Sequence, residues 1–466
     1  MPQSRREFIK FVVAGSVTAG CPIDSTLLAA PAVAAGKPGV EGEHFDVCHQ
    51  IRDGHSFERP AATQKAAIVI IGGGVAGLSA AYFLRGQDFL LLEKEDHFGG
   101  NAYQEEFQGQ PFATGSAFAY RNDYGDQLSA ELGVKLLPVN NPDPTIVNHT
   151  FVVDTWKSGI DHLPYPKDVR ESFRKFRDDI MKIKIRQRVA ELDSEPFTKY
   201  TAGYAPEIQQ WWDGYGPSNW GATTPDTSAL LGIESLQDIA SGDDQRVILP
   251  GGLGCITHKL VEVLQPQYRE RLLGGAAVVS IVPEKDEVRV TYHRDGKQAT
   301  VAAKAVIVCV PKLIVSRVIA DLAAEQKAAM QRMRYIPYPV VNLIFDNPVY
   351  NRGYDTWCPG NAFTDFIVAD WTVRNTTDYY QKHNILTFYT PLRENQRFTL
   401  LDENNCQKLA ARVLADFQKL LPEFDAHPVE VRLYRRGHPM YMAVPGQFTK
   451  NRFAAAQPMD RIFFGN

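Results

Sequence analysis

The feature that most constrains this chain is a run of spaced glycines where a strand turns into a helix. Ala67-Ile68-Val69-Ile70-Ile71 is unbroken apolar sequence, and Gly72-x-Gly74-x-x-Gly77 follows at once. Val75 to Arg85 then carries Val75, Leu78, Ala81, Tyr82 and Leu84 at helical spacing before Gly86. A short apolar run of this kind predicts a strand covered on both faces. Phe89-Leu90-Leu91-Leu92-Glu93 predicts a second one, giving a strand–helix–strand unit. Gly72 permits the tight turn, Gly74 lets a diphosphate approach the backbone, and Gly77 lets the helix lie close on the strand. Val75 and Ala76 open the helix, whose unpaired N–H groups and positive dipole end suit phosphate. Glu93 stands 19 residues after Gly74 and ends the second strand, where a carboxylate can accept ribose hydroxyls. Fold class follows: α/β, with a Rossmann-like dinucleotide domain.

The next segment narrows the dinucleotide. Lys94 is followed by Asp96-His97-Phe98-Gly99-Gly100-Asn101, a second glycine pair close behind the acidic residue. Here the chain resembles the flavin amine oxidase and phytoene desaturase superfamily, whose fingerprint runs from the first glycines into such a pair. The resemblance implies FAD rather than NAD, and an α+β substrate domain interleaved with the FAD domain. It also implies that Gly115-Ser116 is the small-residue turn beside the flavin ring. Pro250-Gly251-Gly252-Leu253 matches the segment opening a later helix, Val278 the backbone contact to adenine, and Ala305–Pro311 the strand closing the FAD domain.

The same resemblance marks departures. Family members often carry Arg after the glycine pair, where this chain has Asn101. A lysine that holds water at flavin N5 aligns with Asn342 in Pro339-Val340-Val341-Asn342-Leu343, which puts a dehydrogenase on a par with an oxidase. In Arg435-Arg436-Gly437-His438-Pro439-Met440-Tyr441, a region that reaches the flavin in the family, His438 and Tyr441 are candidate substrate contacts. Trp211, Trp212 and Trp220 read as core or as pocket lining. The chain stops at Ile462-Phe463-Phe464-Gly465-Asn466, where relatives continue into a Gly-rich turn, so a truncated FAD domain is expected.

The N-terminus reads as an address. Ser4-Arg5-Arg6-Glu7-Phe8, an apolar run from Phe11 to Gly20, and Ala29-Ala30-Pro31-Ala32-Val33-Ala34 supply the three regions of an export signal. The paired arginines resemble a twin-arginine signal, which a translocase reads and which leads to the periplasm. Thr18-Ala19-Gly20-Cys21 offers lipid anchoring as a lesser alternative. The net charge of −4 becomes −5 on cleavage after Ala34, and neither value suits nucleic acid as the main partner. No apolar stretch reaches the roughly 18 residues a bilayer span requires. The cysteines contain no Cys-x-x-Cys pair, and no HExxH, GxSxG or P-loop is present.

These readings divide the chain into an export signal (1–35) and a linker or N-terminal arm (36–65). The FAD-binding domain comprises 66–120, 246–311 and 431–466, and the substrate domain 121–245 and 312–430. The expected function is oxidation of an amine, a polyamine among the candidates, by hydride transfer to flavin N5. Oxygen or a redox protein would accept the electrons. A desaturase or isomerase of phytoene-desaturase type and a flavin-binding redox protein without turnover remain alternatives.

Overall fold

The computed structural model describes residues 38–139, 143–242, 245–373 and 383–465. The expected export signal and Cys21 lie outside them. Two large sheets organise the chain. The first has the order Leu272–Leu273, Phe89–Leu92, Gln64–Ile71, Lys297–Val308, Val288–Arg294, Ala277–Pro283. Gln64–Ile71 lies between Phe89–Leu92 and Lys297–Val308, parallel to both. Val69, Ile70 and Ile71 are buried, as are all four residues of Phe89–Leu92. Burial of each such side chain contributes about 1.5–3 kcal/mol. The sequence reads as unbroken apolar here because the sheet is covered on both sides by two separate buried clusters.

Local sequence explains the rest of this sheet. Asp295 and Gly296 both have positive φ, 49° and 76°, and join Val288–Arg294 to Lys297–Val308 as the two-residue hairpin expected of Asp-Gly. Lys297–Val308 is long enough to serve two partners on one edge. Its first part pairs antiparallel with Val288–Arg294, and Val306–Val308 pairs parallel with Ile462–Phe464.

The second sheet has eight strands, in the order Gly39–Gly42, Glu430–Arg435, Val340–Phe345, Asn384–Tyr389, Asp365–Val368, Asp355–Trp357, Pro144–Val147, Thr150–Val153. Helix Glu403–Leu420 covers one face through Cys406, Leu409, Ala410, Val413 and Phe417. Helices Lys167–Met181, Ile185–Asp193, Pro206–Trp220 and Ala229–Ser241 build a separate aromatic core. Trp211, Trp212 and Trp220 belong to that core, with Trp212 and Trp220 stacked at 5.4 Å.

Three boundaries differ from expectation. Residues 36–65, expected as a linker or an N-terminal arm, contain an edge strand, Gly39–Gly42, and a helix, Asp46–Arg52. Glu430–Arg435 pairs with Val340–Phe345 in the second sheet, although residues from 431 were expected in the first domain. Arg246–Ile248 pairs with Phe118–Tyr120 and Leu137–Pro138 in a small third sheet. Sequence spacing carries no information on which sheet edge captures a short strand, and this is where the expectations slipped.

Candidate active site

Where Gln64–Ile71 meets helix Val75–Phe83, the glycines do what their spacing implies. Gly72 has φ +102°, and a Cβ there would lie 2.8 Å from Cys309 O. A Cβ on Gly77 would lie 1.7 Å from Gly72 O, so only glycine allows this approach of helix to turn. Gly74 differs, since its Cβ would meet only Gly99 O at 3.8 Å and Gly100 Cα at 3.9 Å. Gly74 is the N-cap of the helix, and no side chain caps the first turn. The N–H groups there are left for a ligand.

Glu93 is buried at the end of its strand. One carboxylate oxygen accepts from Gly73 N at 2.5 Å and the other from Glu95 N at 2.9 Å. Burial raises its pKa, against the opposing pull of those two N–H groups and of Lys94. An ionised carboxylate has about four lone-pair sites, so two remain for ribose hydroxyls. Lys94 is ion-paired to Glu95 and donates to His44 O at 3.3 Å. Burial lowers its pKa, but the carboxylates of Glu43 and Glu95 outweigh that and leave it raised.

A cavity of about 1260 Å³ connects these groups to the C-terminal segment. Of the residues expected at the site, Gly72, Gly74, Val75, Ala76, Glu93, Lys94, Gly99, Gly100, Asn101, Ser116, Val278, His438 and Tyr441 line it. Gly77 and Gly115 stand behind the wall. A Cβ on Gly115 would lie 2.4 Å from Asn101 O, so this glycine permits the contact between the two loops. Asn101 ties the wall together, accepting from Ser116 N at 3.0 Å and donating its side-chain amide to Pro439 O at 3.0 Å.

Asn342 is placed differently. It is fully buried in Val340–Phe345 and does not line the cavity. It donates to Ala113 O at 3.4 Å and accepts from Thr387 Oγ1 at 2.6 Å. Its amide is engaged in holding the strand behind the Ala113–Gly115 turn, which leaves it no direct contact with substrate.

The structure adds residues that sequence reading missed. Val40 to Arg52 run along the cavity, and His44 clamps Glu95 through both its N–H and its ring Nδ1, at 3.1 and 2.6 Å. Lys312 lines the cavity at 2% exposure, and burial pulls its pKa down to about 8. Arg397 is on the wall near His438, with Nε donating to Gly437 O at 2.8 Å and Nη2 to Tyr335 O. No carboxylate among the described residues forms a salt bridge with it; burial lowers its pKa, and Glu394, itself paired with Arg334, acts on it only from a distance. Burial, with Arg397, His49 and Arg52 around it, lowers the His438 pKa to about 4, so the ring is neutral at pH 7. The Val-Pro-Lys sequence at the end of the closing strand was the one available signal for Lys312. Nothing local marked the course of the arm along the cavity or the place of Arg397, both of which are set by tertiary packing.

A family profile described as flavin containing amine oxidoreductase matches residues 75–465. The chain belongs to that family. Its members are FAD-dependent oxidoreductases, and the glycine cradle, the helix terminus and Glu93 have the chemistry that a dinucleotide diphosphate and ribose require. Among curated relatives, the chain is 23% identical over 259 residues to Oxidoreductase PigB of Serratia sp., covering 52% of this chain and 37% of that protein. It is 25% identical over 303 residues to an L-amino-acid oxidase of Demansia vestigiata, covering 58% of this chain and 55% of the relative. The chain thus spans only about a third to a half of those two proteins. Among solved structures, putrescine oxidase superimposes with a TM-score of 0.65 at 16% identity, covering 86% of this chain and 93% of the other. Cyclohexylamine oxidase from Brevibacterium oxydans gives 0.64, also at 16% identity, covering 86% and 92%. At that identity the two structures establish the fold alone. No helix among the described residues is long and apolar enough to cross a membrane.

Proposed function

We propose that the chain oxidises an amine, removing hydride from the carbon next to nitrogen, and that it does so after export by the twin-arginine route. One observation carries the amine reading: a single cavity runs from the Gly74 helix terminus and Glu93 to His438 and Tyr441, with a neutral imidazole between cations at the far end. When bound, FAD supplies the two-electron acceptor for the hydride at N5. The protein supplies position and electrostatics. Arg397, with a His438 that stays uncharged, disfavours an ammonium at that wall and so favours the amine as its free base. A free-base amine carries its own lone pair, so no strong protein base is required. Tyr441 adds an aromatic wall.

Arg397 refines the substrate. Its guanidinium is fixed by two main-chain carbonyls and lacks a carboxylate partner among the described residues. That arrangement suits an amine bearing a carboxylate, as in the L-amino-acid oxidases, better than a polyamine such as putrescine, whose second ammonium would meet a fixed cation. The test is anaerobic mixing of the flavin-loaded protein with monoamines, diamines and α-amino acids while the flavin absorbance is followed. Bleaching by amino acids, lost selectively in Arg397→Gln through a raised KM, is the expected result. No bleaching by any amine, with FAD retained, would refute amine oxidation. Bleaching by diamines alone would refute the carboxylate assignment.

A further inference from the structure

Arg436 is buried, at 7% exposure, and lines the cavity. Its hydrogen bonds all go to neutral acceptors. Nη1 donates to Gly100 O at 3.1 Å, Nη2 to Thr114 Oγ1 at 2.9 Å, and both Nε and Nη2 to Thr114 O at 3.4 Å. A guanidinium carries five N–H donors and does not give up its proton in proteins. Four are taken, which leaves one on Nη1. Two carboxylates act on it from a distance. Glu95 is already held by Lys94 and His44, and Glu43 accepts from Gly437 N at 3.2 Å. No salt bridge to Arg436 exists among the described residues. A buried cation without a hydrogen-bonded anion is costly, so a residue of this kind points to an anion that enters the cavity.

The geometry identifies that anion. Gly100, whose carbonyl Arg436 grips, packs against Gly74, with its Cα 3.9 Å from where a Gly74 Cβ would be. The guanidinium and the uncapped N-terminus of helix Val75–Phe83 therefore border the same cavity on either side of the Gly74–Gly100 contact. Asn101, the neighbour of Gly100, stands where family members often carry Arg, and its amide is spent on Pro439 O. The positive charge missing at that position is present on a side chain 336 residues from Gly100 in sequence.

We propose that Arg436 is the fixed countercharge for the FAD diphosphate, supplying from the end of Glu430–Arg435 the charge that Asn101 does not. The assignment rests on FAD as the cofactor. The full chain, freed of flavin, is titrated with FAD and separately with ADP, which shares the diphosphate but lacks the flavin. Arg436→Gln should weaken both ligands by the same factor, tenfold or more, and leave the thermal stability of the flavin-free protein unchanged or raised. Arg436→Lys keeps the charge without the fork and should lie between. It carries the test if the glutamine variant does not fold. Unchanged affinity for FAD and ADP would overturn the proposal, and so would lower flavin-free stability with intact affinities, which marks a purely structural residue. Loss of FAD affinity without loss of ADP affinity would move the guanidinium to the flavin ring and also overturn it. A wild-type chain that binds neither ligand would instead refute the FAD reading itself.

Discussion

Two glycines three residues apart should fail for different reasons when given a single methyl group. In Gly77→Ala the new Cβ would start 1.7 Å from Gly72 O, and the obstacle is backbone on a turn pinned by Gly72 N donating to Leu92 O at 2.8 Å. To reach an ordinary contact of 3.4 Å, helix and turn must separate by about 1.7 Å. Overpacking of that kind costs roughly 1–3 kcal/mol. For a domain of 150–250 residues this corresponds to a drop in melting temperature of about 2–12 °C. In Gly74→Ala the nearest atoms are at 3.8 and 3.9 Å, so the flavin-free protein accepts the methyl with little penalty. The methyl then occupies the surface that the diphosphate approaches, and FAD affinity should fall by at least tenfold, or about 1.4 kcal/mol. Thermal unfolding of flavin-free protein and FAD titration separate the two effects. Gly77→Ala should lose stability with or without flavin, and Gly74→Ala should lose only the stabilisation that FAD adds. If Gly74→Ala melts as early as Gly77→Ala without flavin, or if Gly77→Ala is as stable as the parent, the assignment of packing to one glycine and ligand approach to the other is wrong.

Further outcomes follow from single contacts. Asn342→Ala leaves Thr387 Oγ1 and Ala113 O without their partner and should cost about 1–3 kcal/mol in denaturant unfolding, with flavin reduction by amine changed less than threefold. A large loss of reduction rate at full stability would instead place Asn342 in the chemistry. His438 has a folded pKa of about 4, below its ordinary 6.5, so acidification protonates the unfolded chain first and stability falls from pH 6.5 to about 4. His438→Gln should flatten that part of the stability–pH curve, and an unchanged slope would show that the ring is not held neutral. Glu93→Gln places an amide NH₂ against the N–H of Gly73 or Glu95 and should weaken FAD about tenfold or more by equilibrium titration. Equal FAD affinity would remove Glu93 from the ribose contact.

The parts of the site that were legible in sequence are those in which chemistry and chain neighbourhood coincide. Gly72, Gly74, Gly77 and Glu93 lie on one strand–helix–strand unit, and their spacing is set by the length of the helix between two buried strands. Asn101 was legible as a departure because it adjoins the Gly99-Gly100 pair. Asn342 was singled out by alignment with a catalytic position, yet its amide faces Ala113 and Thr387. Strand periodicity assigns a side chain to a face but does not say whether that face borders a cavity or another layer. The same limit left the three tryptophans ambiguous until four helices closed around them.

What the sequence determined by itself is the dinucleotide half of the protein: an α/β unit with a glycine cradle, an uncapped helix terminus and a carboxylate placed for ribose. Those properties depend on residues within about thirty positions of one another, where steric rules and helical spacing act locally. Only the tertiary structure decided the remainder of the site. It brought Val40–Arg52 alongside Glu95, placed Arg397 beside His438, and inserted Arg436 between Gly100 and Thr114. Contacts separated by 40 to 336 residues are selected by which faces bury together and which buried charges find partners, and no local pattern in the chain encodes that outcome.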